Sequence, residues 1–488
     1  MPRRAQRNGI QPIHLLQILK MKNNILYKIL FLLLVLLLLL PVAQTHFELF
    51  EMKPLAGVRL ETGDSLKRPQ LTWESYKNSS YQKQMDKYLM ETVGFREFFI
   101  RYYNQYLWSL FSKTYNENVF VGKNRWLYEA VNVRDHYQSL IHDIDFSDER
   151  MRKTFDNDAA RLYKIQEILK EYGVTLFVAL EPGKDYVFPE YLPENKSFFK
   201  PNGVHGYDYY KDKFAEIGNN FIDFNALFMQ WRDTKDFPVY YKTCTHWSNI
   251  SAAHAADTLL RYMESRSGLN IPNIAIGKPY YDTPREPDCD LEDLLNLLIP
   301  HHAEKYMYAD VSVIPDAAAK KPKLIVIGDS FFWNMTYMLP LKDLFTYNHY
   351  WYYNNTIYFD GKHKNTGEID IVKELLDSDF VMIAYCTTQI YNIDRGFIPN
   401  ALLHLCFDDD EINSKVEEIK ESIRNNKELS KSVSEKAAAQ RISFEEMLGL
   451  DARWLVDNYP ENYFEELRGD GVPTKRSRHL LGLVESRK

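Results

Sequence analysis

Two short segments carry residue types suited to acyl transfer. In Lys323–Met335, KLIVIGDSFFWNM, an apolar strand ends in Gly328-Asp329-Ser330 and runs into a helix-like segment. Such a turn exposes a serine hydroxyl at the carboxyl end of a parallel strand, where open α/β folds bind their ligands. The serine's own N–H, at the start of a helix, suits a developing oxyanion. The plainer reading is a serine that caps the helix. In Tyr240–Ser248, YYKTCTHWS, His246 and Trp247 stand in a loop that leaves a strand-like FPVYYKT. A neutral hydroxyl is a weak nucleophile and needs a base within hydrogen-bond reach. Such partners are neighbours in space rather than in sequence. A histidine with no such partner reads as a buried ring bonded to backbone, and His254, His301 and His349 are read that way.

These groups need a scaffold, and the sequence describes one. VTLFVALEP, KLIVIG and DFVMIAYC are short, continuously apolar runs, as expected of strands buried on both faces. TFDNDAARLYKIQEILKEYG places Phe155, Leu162, Ile165 and Leu169 on one helical face and stops at Gly173, and SAAHAADTLLRYM reads as another helix. VFVGKNRWLYEA reads as strand, turn, strand. Strands alternating with helices predict an α/β domain with a mostly parallel sheet and flanking helices over residues 119–405. After Asp408-Asp409-Asp410 the composition turns charged and helically periodic, predicting a C-terminal helical extension and tail over 406–488. QMDKYLMETVGFREFFIRYYNQYLWSLF predicts a helical stem within 44–118.

The N-terminus predicts a membrane anchor. Residues 25–43 are apolar except for Lys28, which can snorkel, and a spanning helix needs about 17–25 residues. Arg3, Arg4, Arg7, Lys20, Lys22 and Lys28 precede the apolar core, and no acidic residue appears before Glu48. That asymmetry keeps residues 1–24 cytoplasmic and sends the remainder across. The alternative is a cleaved signal peptide. A net charge of -7 argues against nucleic acid as a partner, since no basic excess exists to neutralise phosphates. Cys244, Cys289, Cys386 and Cys406 lie in no C-x-x-C pair, and any disulfide pairing stays open. His301-His302 is isolated from other ligand types, so no metal and no cofactor is expected.

The chain resembles the periplasmic SGNH-hydrolase-like proteins of exopolysaccharide O-acetylation, the AlgX/AlgJ type. The resemblance runs from about Phe47 to Pro399 through FREFFIRYYNQ, VFVGKNRWLYEA, EPGKDYVFPEYLP, YYKTCTHWS, CDLEDLLNLL and IGDSFFW, in that order. The histidine motif precedes Gly-Asp-Ser, as in the family's permuted, flavodoxin-like arrangement. The resemblance implies that Ser330 carries the acetyl group as an ester, that His246 shuttles the proton, and that a polysaccharide hydroxyl receives it. It further implies a membrane-bound O-acyltransferase as the partner that supplies acetyl, at the inner membrane with the catalytic domain in the periplasm.

One position departs from that pattern. The family writes D-x-H-W, and here Cys244 stands where the aspartate would orient the imidazole. A thiol cannot supply that charge. Neutralising the acid of the serine-protease template costs about 10⁴ in kcat. Three readings follow: a Ser330–His246 dyad held by backbone, a substitute acid such as Asp236 or Glu181, or a weakened site. Lys184, in the family's P-x-K-like motif, Trp247 and Tyr241 are candidate sugar contacts. Asp329 is read as a brace for the serine turn, and Tyr352, Tyr353 and Asn354 as candidate groove residues. The functional expectation is an O-acetyltransferase. The alternatives are an acetyl esterase using the same dyad, and a non-catalytic carbohydrate-binding or assembly subunit.

Overall fold

The apolar runs pair with one another in a single sheet. In chain order the strands are β1 (Val119–Val121), β2 (Leu127–Glu129), β3 (Thr175–Glu181), β4 (Phe221–Asp223), β5 (Ile274–Ile276), β6 (Tyr280–Asp282), β7 (Tyr306–Tyr308), β8 (Val311–Val313), β9 (Lys323–Gly328), β10 (Tyr347–Tyr352), β11 (Thr356–Phe359), β12 (Lys362–Asn365) and β13 (Phe380–Cys386). The structure, a computed structural model, describes residues 12–57, 67–137, 148–192, 205–300, 304–477 and 480. The first eleven residues of the basic segment, His301, His302 and most of the final tail lie outside them.

The sheet has the order β12-β11-β10-β9-β13-β3-β4. The five strands from β10 to β4 are mutually parallel, and β11 and β12 extend the edge as antiparallel hairpins. From β9 the chain goes to β10 on one side and returns as β13 on the other. The carboxyl end of β9 is therefore a topological switch point, where a crevice opens for ligands. Alternate residues serve opposite faces. Ile325, Ile327, Val381 and Ile383 join one core with Leu162 and Ile165, while Leu324, Val326, Met382 and Ala384 join the other with Trp247 and Leu260. Burial on both faces explains why these strands read as unbroken apolar runs.

The charged C-terminal region forms the helices Asp409–Asn425, Lys427–Gln440 and Phe444–Asn458. The stripe Ile412, Val416, Ile419 and Ile423 recurs at three- and four-residue steps and packs into the first core. A capping box at Asp408 and Glu411 starts the first of these helices.

The chain divides into two compact units, one built from the residues up to Tyr115 with Asp293–Pro300, the other from Asn116–Glu292 and the chain beyond residue 300. The first unit contains α1 (Pro12–Phe47), α2 (Trp73–Lys77), α3 (Ser80–Thr92) and α4 (Arg96–Phe111). Within α1, Ile25–Phe47 is long and apolar enough to cross a membrane, four residues beyond the boundary read from the sequence. The stem pattern that read as one helical run is interrupted between α3 and α4. Gly94 sits in the interruption because a Cβ there would lie 2.3 Å from the Pro41 carbonyl oxygen of α1.

One expected element is absent. FPVYYKT is not a strand but an irregular segment, because its backbone groups are claimed by different neighbours. The Lys242 carbonyl accepts from Leu127, the Thr243 carbonyl from Leu291 and Glu292, and the Val239 carbonyl from Ser248. Those bonds suspend the histidine loop between β2 and residues 288–292.

Candidate active site

The serine turn is assembled from backbone outward. Gly328 closes β9 against β13, and a Cβ there would stand 2.5 Å from the Ala384 carbonyl oxygen. Gly328→Ala is expected to push these strands apart at a cost of about 1–3 kcal/mol, as overpacking does. A lowered Tm by circular dichroism checks this, and an unchanged Tm would show that the strands already have room. Asp329 donates its N–H to Ala384 at 3.1 Å. Its carboxylate accepts the N–H of Phe331 at 3.0 Å and of Cys386 at 2.9 Å. The Tyr350 hydroxyl donates to the Asp329 carbonyl. Asp329 is thus a buried brace that fixes the residue after it.

Ser330 does not cap the following helix, Phe332–Met338, which has no side-chain cap. Its Oγ lies 2.8 Å from His246 Nε2. The other ring nitrogen, Nδ1, lies 2.5 Å from Asp290 Oδ2. With Nδ1–H donating to Asp290, Nε2 is left to accept the Ser330 hydroxyl proton. Asp290 is itself held, since its Oδ1 accepts the N–H groups of Thr245 at 2.9 Å and Leu291 at 2.6 Å. The three side chains form a continuous relay, Ser330–His246–Asp290. Burial disfavours charge on His246, but the Asp290 hydrogen bond and the nearby carboxyls of Asp290, Glu129 and Asp329 outweigh it, raising the imidazole above its ordinary pKa. Glu129, at the end of β2, accepts from the Thr245 hydroxyl at 3.2 Å. Burial pushes that carboxyl upward in turn.

Neither Cys244 nor either candidate substitute acid, Asp236 or Glu181, occupies the position against Nδ1. Cys244 is fully buried and donates its thiol to the carbonyls of His246, at 3.0 Å, and Tyr241, at 3.4 Å. Burial raises that thiol well above its ordinary value, so it stays protonated. Asp236 is exposed and lies beside His254. Glu181 is buried against Asp329 and raised by desolvation and that neighbouring charge. Asp290 was missed because only the fold carries residues 288–292 to the histidine loop. The local signals were the motif CDLEDLLNLL itself, which holds Asp290, and an acid opening the helical turn Asp290–Leu294 within it.

The candidate sugar contacts turn out to be struts. Trp247 is fully buried, donates its indole N–H to the Phe331 carbonyl at 3.1 Å, and accepts at its own carbonyl from Asn334. It therefore ties the histidine loop to the serine helix rather than flooring a subsite. Lys184 is 1% exposed, and its ammonium donates to the carbonyls of Leu127 at 2.7 Å and Cys244 at 2.6 Å, above the rings of Trp126 and Tyr128. Tyr241 stacks on Tyr306, and its hydroxyl is consumed by the backbone of Met307. All three support the loop, because a segment with no ladder must be held by side chains.

Tyr353 sits at φ +50° and donates its N–H to the Gly328 carbonyl, bringing the turn after β10 next to the serine turn. Tyr352 and Tyr353 are half-buried there, and Asn354 donates to the Arg395 carbonyl. His254 stacks on Phe237, and His349 is buried beside Glu374. All four cysteines are free thiols. Among the described residues no group of acids, histidines and cysteines could hold a metal ion.

Cys244→Ala tests the reassigned acid. It is expected to cost about 1 kcal/mol of stability, typical of a small core truncation, with kcat changed by no more than a few-fold. A collapse of kcat in a variant of unchanged Tm would return the orienting role to Cys244.

A mostly parallel sheet, with a Gly-Asp-Ser turn at its switch point and a histidine and carboxylate converging on that serine, defines the class: an SGNH-hydrolase-like α/β domain. Residues 119–337 match the family model described as SGNH hydrolase-like domain, acetyltransferase AlgX. Over those residues, less than half of the chain, the sequence is similar to that family. The probable alginate O-acetylase AlgJ of Pseudomonas fluorescens is 26% identical over 187 residues, covering 37% of this chain and 43% of that protein. The chain thus spans less than half the length of that curated relative. The O-acetyltransferase domain of Pseudomonas putida AlgJ is similar over 58% of this chain and 98% of its own, with 16% identity and a TM-score of 0.38. Pseudomonas aeruginosa AlgX is similar over 58% of this chain and 65% of its own, with 14% identity and a TM-score of 0.37.

Proposed function

We propose that this protein is a membrane-anchored O-acetyltransferase that acetylates an exported polysaccharide through an acetyl-serine intermediate. The observation that carries the reading is the relay of Ser330 Oγ, His246 Nε2 and Asp290, closed by contacts of 2.8 and 2.5 Å. In the first half-reaction Ser330 Oγ attacks the carbonyl carbon of an acetyl donor while His246 takes its proton. The tetrahedral oxyanion forms beside the Ser330 N–H, which has no acceptor among the described residues. Collapse expels the donor's leaving group, which recovers the proton from His246. In the second half, a sugar hydroxyl gives its proton to His246 and attacks the acetyl carbonyl carbon; the bond to Ser330 Oγ breaks, Oγ recovers the proton from His246, and the sugar leaves as the acetyl ester. Asp290 holds the tautomer and stabilises the imidazolium in both halves.

The apolar stretch Ile25–Phe47 and the basic residues before it support a single-pass inner-membrane anchor with the catalytic domain in the periplasm. Acetyl groups made in the cytoplasm must then cross the membrane, and a membrane-bound O-acyltransferase is the partner suited to deliver them.

The test is mass spectrometry of the full-length protein in detergent after exposure to an activated acetyl ester. An acetyl group mapped to Ser330, and absent in His246→Ala, is the expected result. Transfer of that group to a polysaccharide faster than to water would identify a transferase, and release to water alone an esterase. No adduct and no ester turnover in folded protein would overturn the catalytic reading and leave a binding or assembly subunit.

A further inference from the structure

The exposed side of α4 is its apolar side. Phe98, Phe99, Tyr102, Tyr103, Tyr106 and Leu110 recur at three- and four-residue steps, which places them on one face of the helix. That face carries no charge, yet Tyr102 is 61% and Leu110 65% exposed. The opposite face is occupied within its own unit. Trp108 is buried, Arg101 donates to the carbonyls of Lys53 and Pro54, and Asn104 donates to the Leu295 carbonyl. A continuous exposed aromatic face of this kind marks an interaction surface.

The contacts of the residues leading into α4 indicate what covers it. The Gly94 N–H donates to the Thr45 hydroxyl at 2.8 Å, and that hydroxyl also reaches the Thr92 carbonyl. Phe95 packs its ring on Phe50 at 5.8 Å. Thr45 lies two residues before the end of the apolar stretch Ile25–Phe47, about 3 Å along the helix axis. The start of α4 is therefore fastened to the point where α1 would leave the hydrocarbon. Rings with a polar hydroxyl are the side chains that favour that depth, and three of the six residues on the face are tyrosines.

We infer that α4 lies in the membrane interface, with its aromatic face against lipid headgroups and the upper acyl chains, as a second attachment beside the span. This rests on the reading of α1 as a membrane span. The occupant is the lipid surface, rather than a second copy or another protein.

The experiment is spin labelling of the full-length protein, reconstituted sparsely in phosphatidylglycerol/phosphatidylethanolamine vesicles. The native cysteines are all buried, which favours labelling at introduced ones. Labels would go on Phe99→Cys, Tyr102→Cys and Tyr106→Cys, with Leu34→Cys in the span and exposed Ser434→Cys as references. The expected result is that the α4 labels collide with oxygen in preference to a water-soluble nickel chelate, as Leu34→Cys does, while Ser434→Cys favours nickel. Nickel access at α4 with Leu34→Cys still protected would overturn the interfacial helix alone. Nickel access at both would overturn the anchor reading beneath it. Labels shielded from both reagents, with dipolar broadening that vanishes on dilution with unlabelled chain, would assign the face to a second copy and overturn the proposal. Tyr102→Glu must lose oxygen preference at a neighbouring Phe99→Cys label if lipid contact holds the helix down, and its retention would overturn it too.

Discussion

Asp290→Asn is expected to lower the acetyl-transfer rate by about 10⁴, the loss seen when the orienting acid of the serine-protease template is neutralised. The amide keeps the size of the side chain and can still meet the Thr245 and Leu291 N–H groups. It presents Nδ1 with no charge and favours the wrong imidazole tautomer. The pH profile should move as well, in a direction fixed by the sign of the shift. His246 acts as a base only when neutral, so activity is lost as pH falls through its pKa. Burial pulls that pKa down, and the Asp290 hydrogen bond and charge lead the contributions that raise it. Removing them leaves burial less opposed, so the acid limb of kcat should shift to lower pH as the plateau drops. A pH–rate series on wild type and Asp290→Asn checks both effects. A variant with near-normal rate and an unmoved acid limb would remove Asp290 from the relay.

Ser330→Ala should produce the larger loss, about 10⁶ in kcat, the scale of nucleophile removal in a serine hydrolase. The acetyl adduct should vanish with it. Because the serine and histidine act as one unit, adding His246→Ala should cost almost nothing further. Single-turnover kinetics on the two single variants and the double variant check this. Ser330 does not cap the helix that follows, so the alanine variant should keep its Tm. Losses that add across the double variant would mean that the two residues serve separate steps. Intact polysaccharide acetylation in cells carrying Ser330→Ala would leave the protein a binding or assembly role.

The two predictions draw unequally on the sequence. The serine turn and the histidine loop that meet at 2.8 Å were legible as candidates because each sits in a locally informative context. KLIVIG must be a strand buried on both faces, and Gly328 at its end allows the close approach to β13 that a turn at the switch point needs. The long apolar stretch of α1 and the C-terminal stripe from Ile412 to Ile423 were legible for the same reason: periodicity and length are local properties. Asp290 was not legible. CDLEDLLNLL stands among the motifs of the resemblance, but within it nothing local marks Asp290, rather than Glu292 or Asp293, as the partner of a histidine. It becomes the partner of His246 only because the Thr243 carbonyl and the Thr245 N–H tie the histidine loop to residues 290–292.

The same physics explains the misread side chains. Trp247, Lys184 and Tyr241 are residue types that suit sugars, and burial alone separates a subsite from a strut. Each ties the irregular histidine loop to a neighbour: Lys184 joins the Cys244 carbonyl to that of Leu127, Trp247 reaches the Phe331 carbonyl, and the Tyr241 hydroxyl accepts the Met307 N–H, ties needed because FPVYYKT has no strand partner. The sequence by itself determined the strands, the long apolar helix, and the serine and histidine motifs proposed as nucleophile and base, since these follow from hydrophobic pattern and turn chemistry within a few residues. Only the tertiary structure decided the acid, because a charge 44 residues from its histidine is chosen by how the backbone is routed and not by its neighbours in the chain.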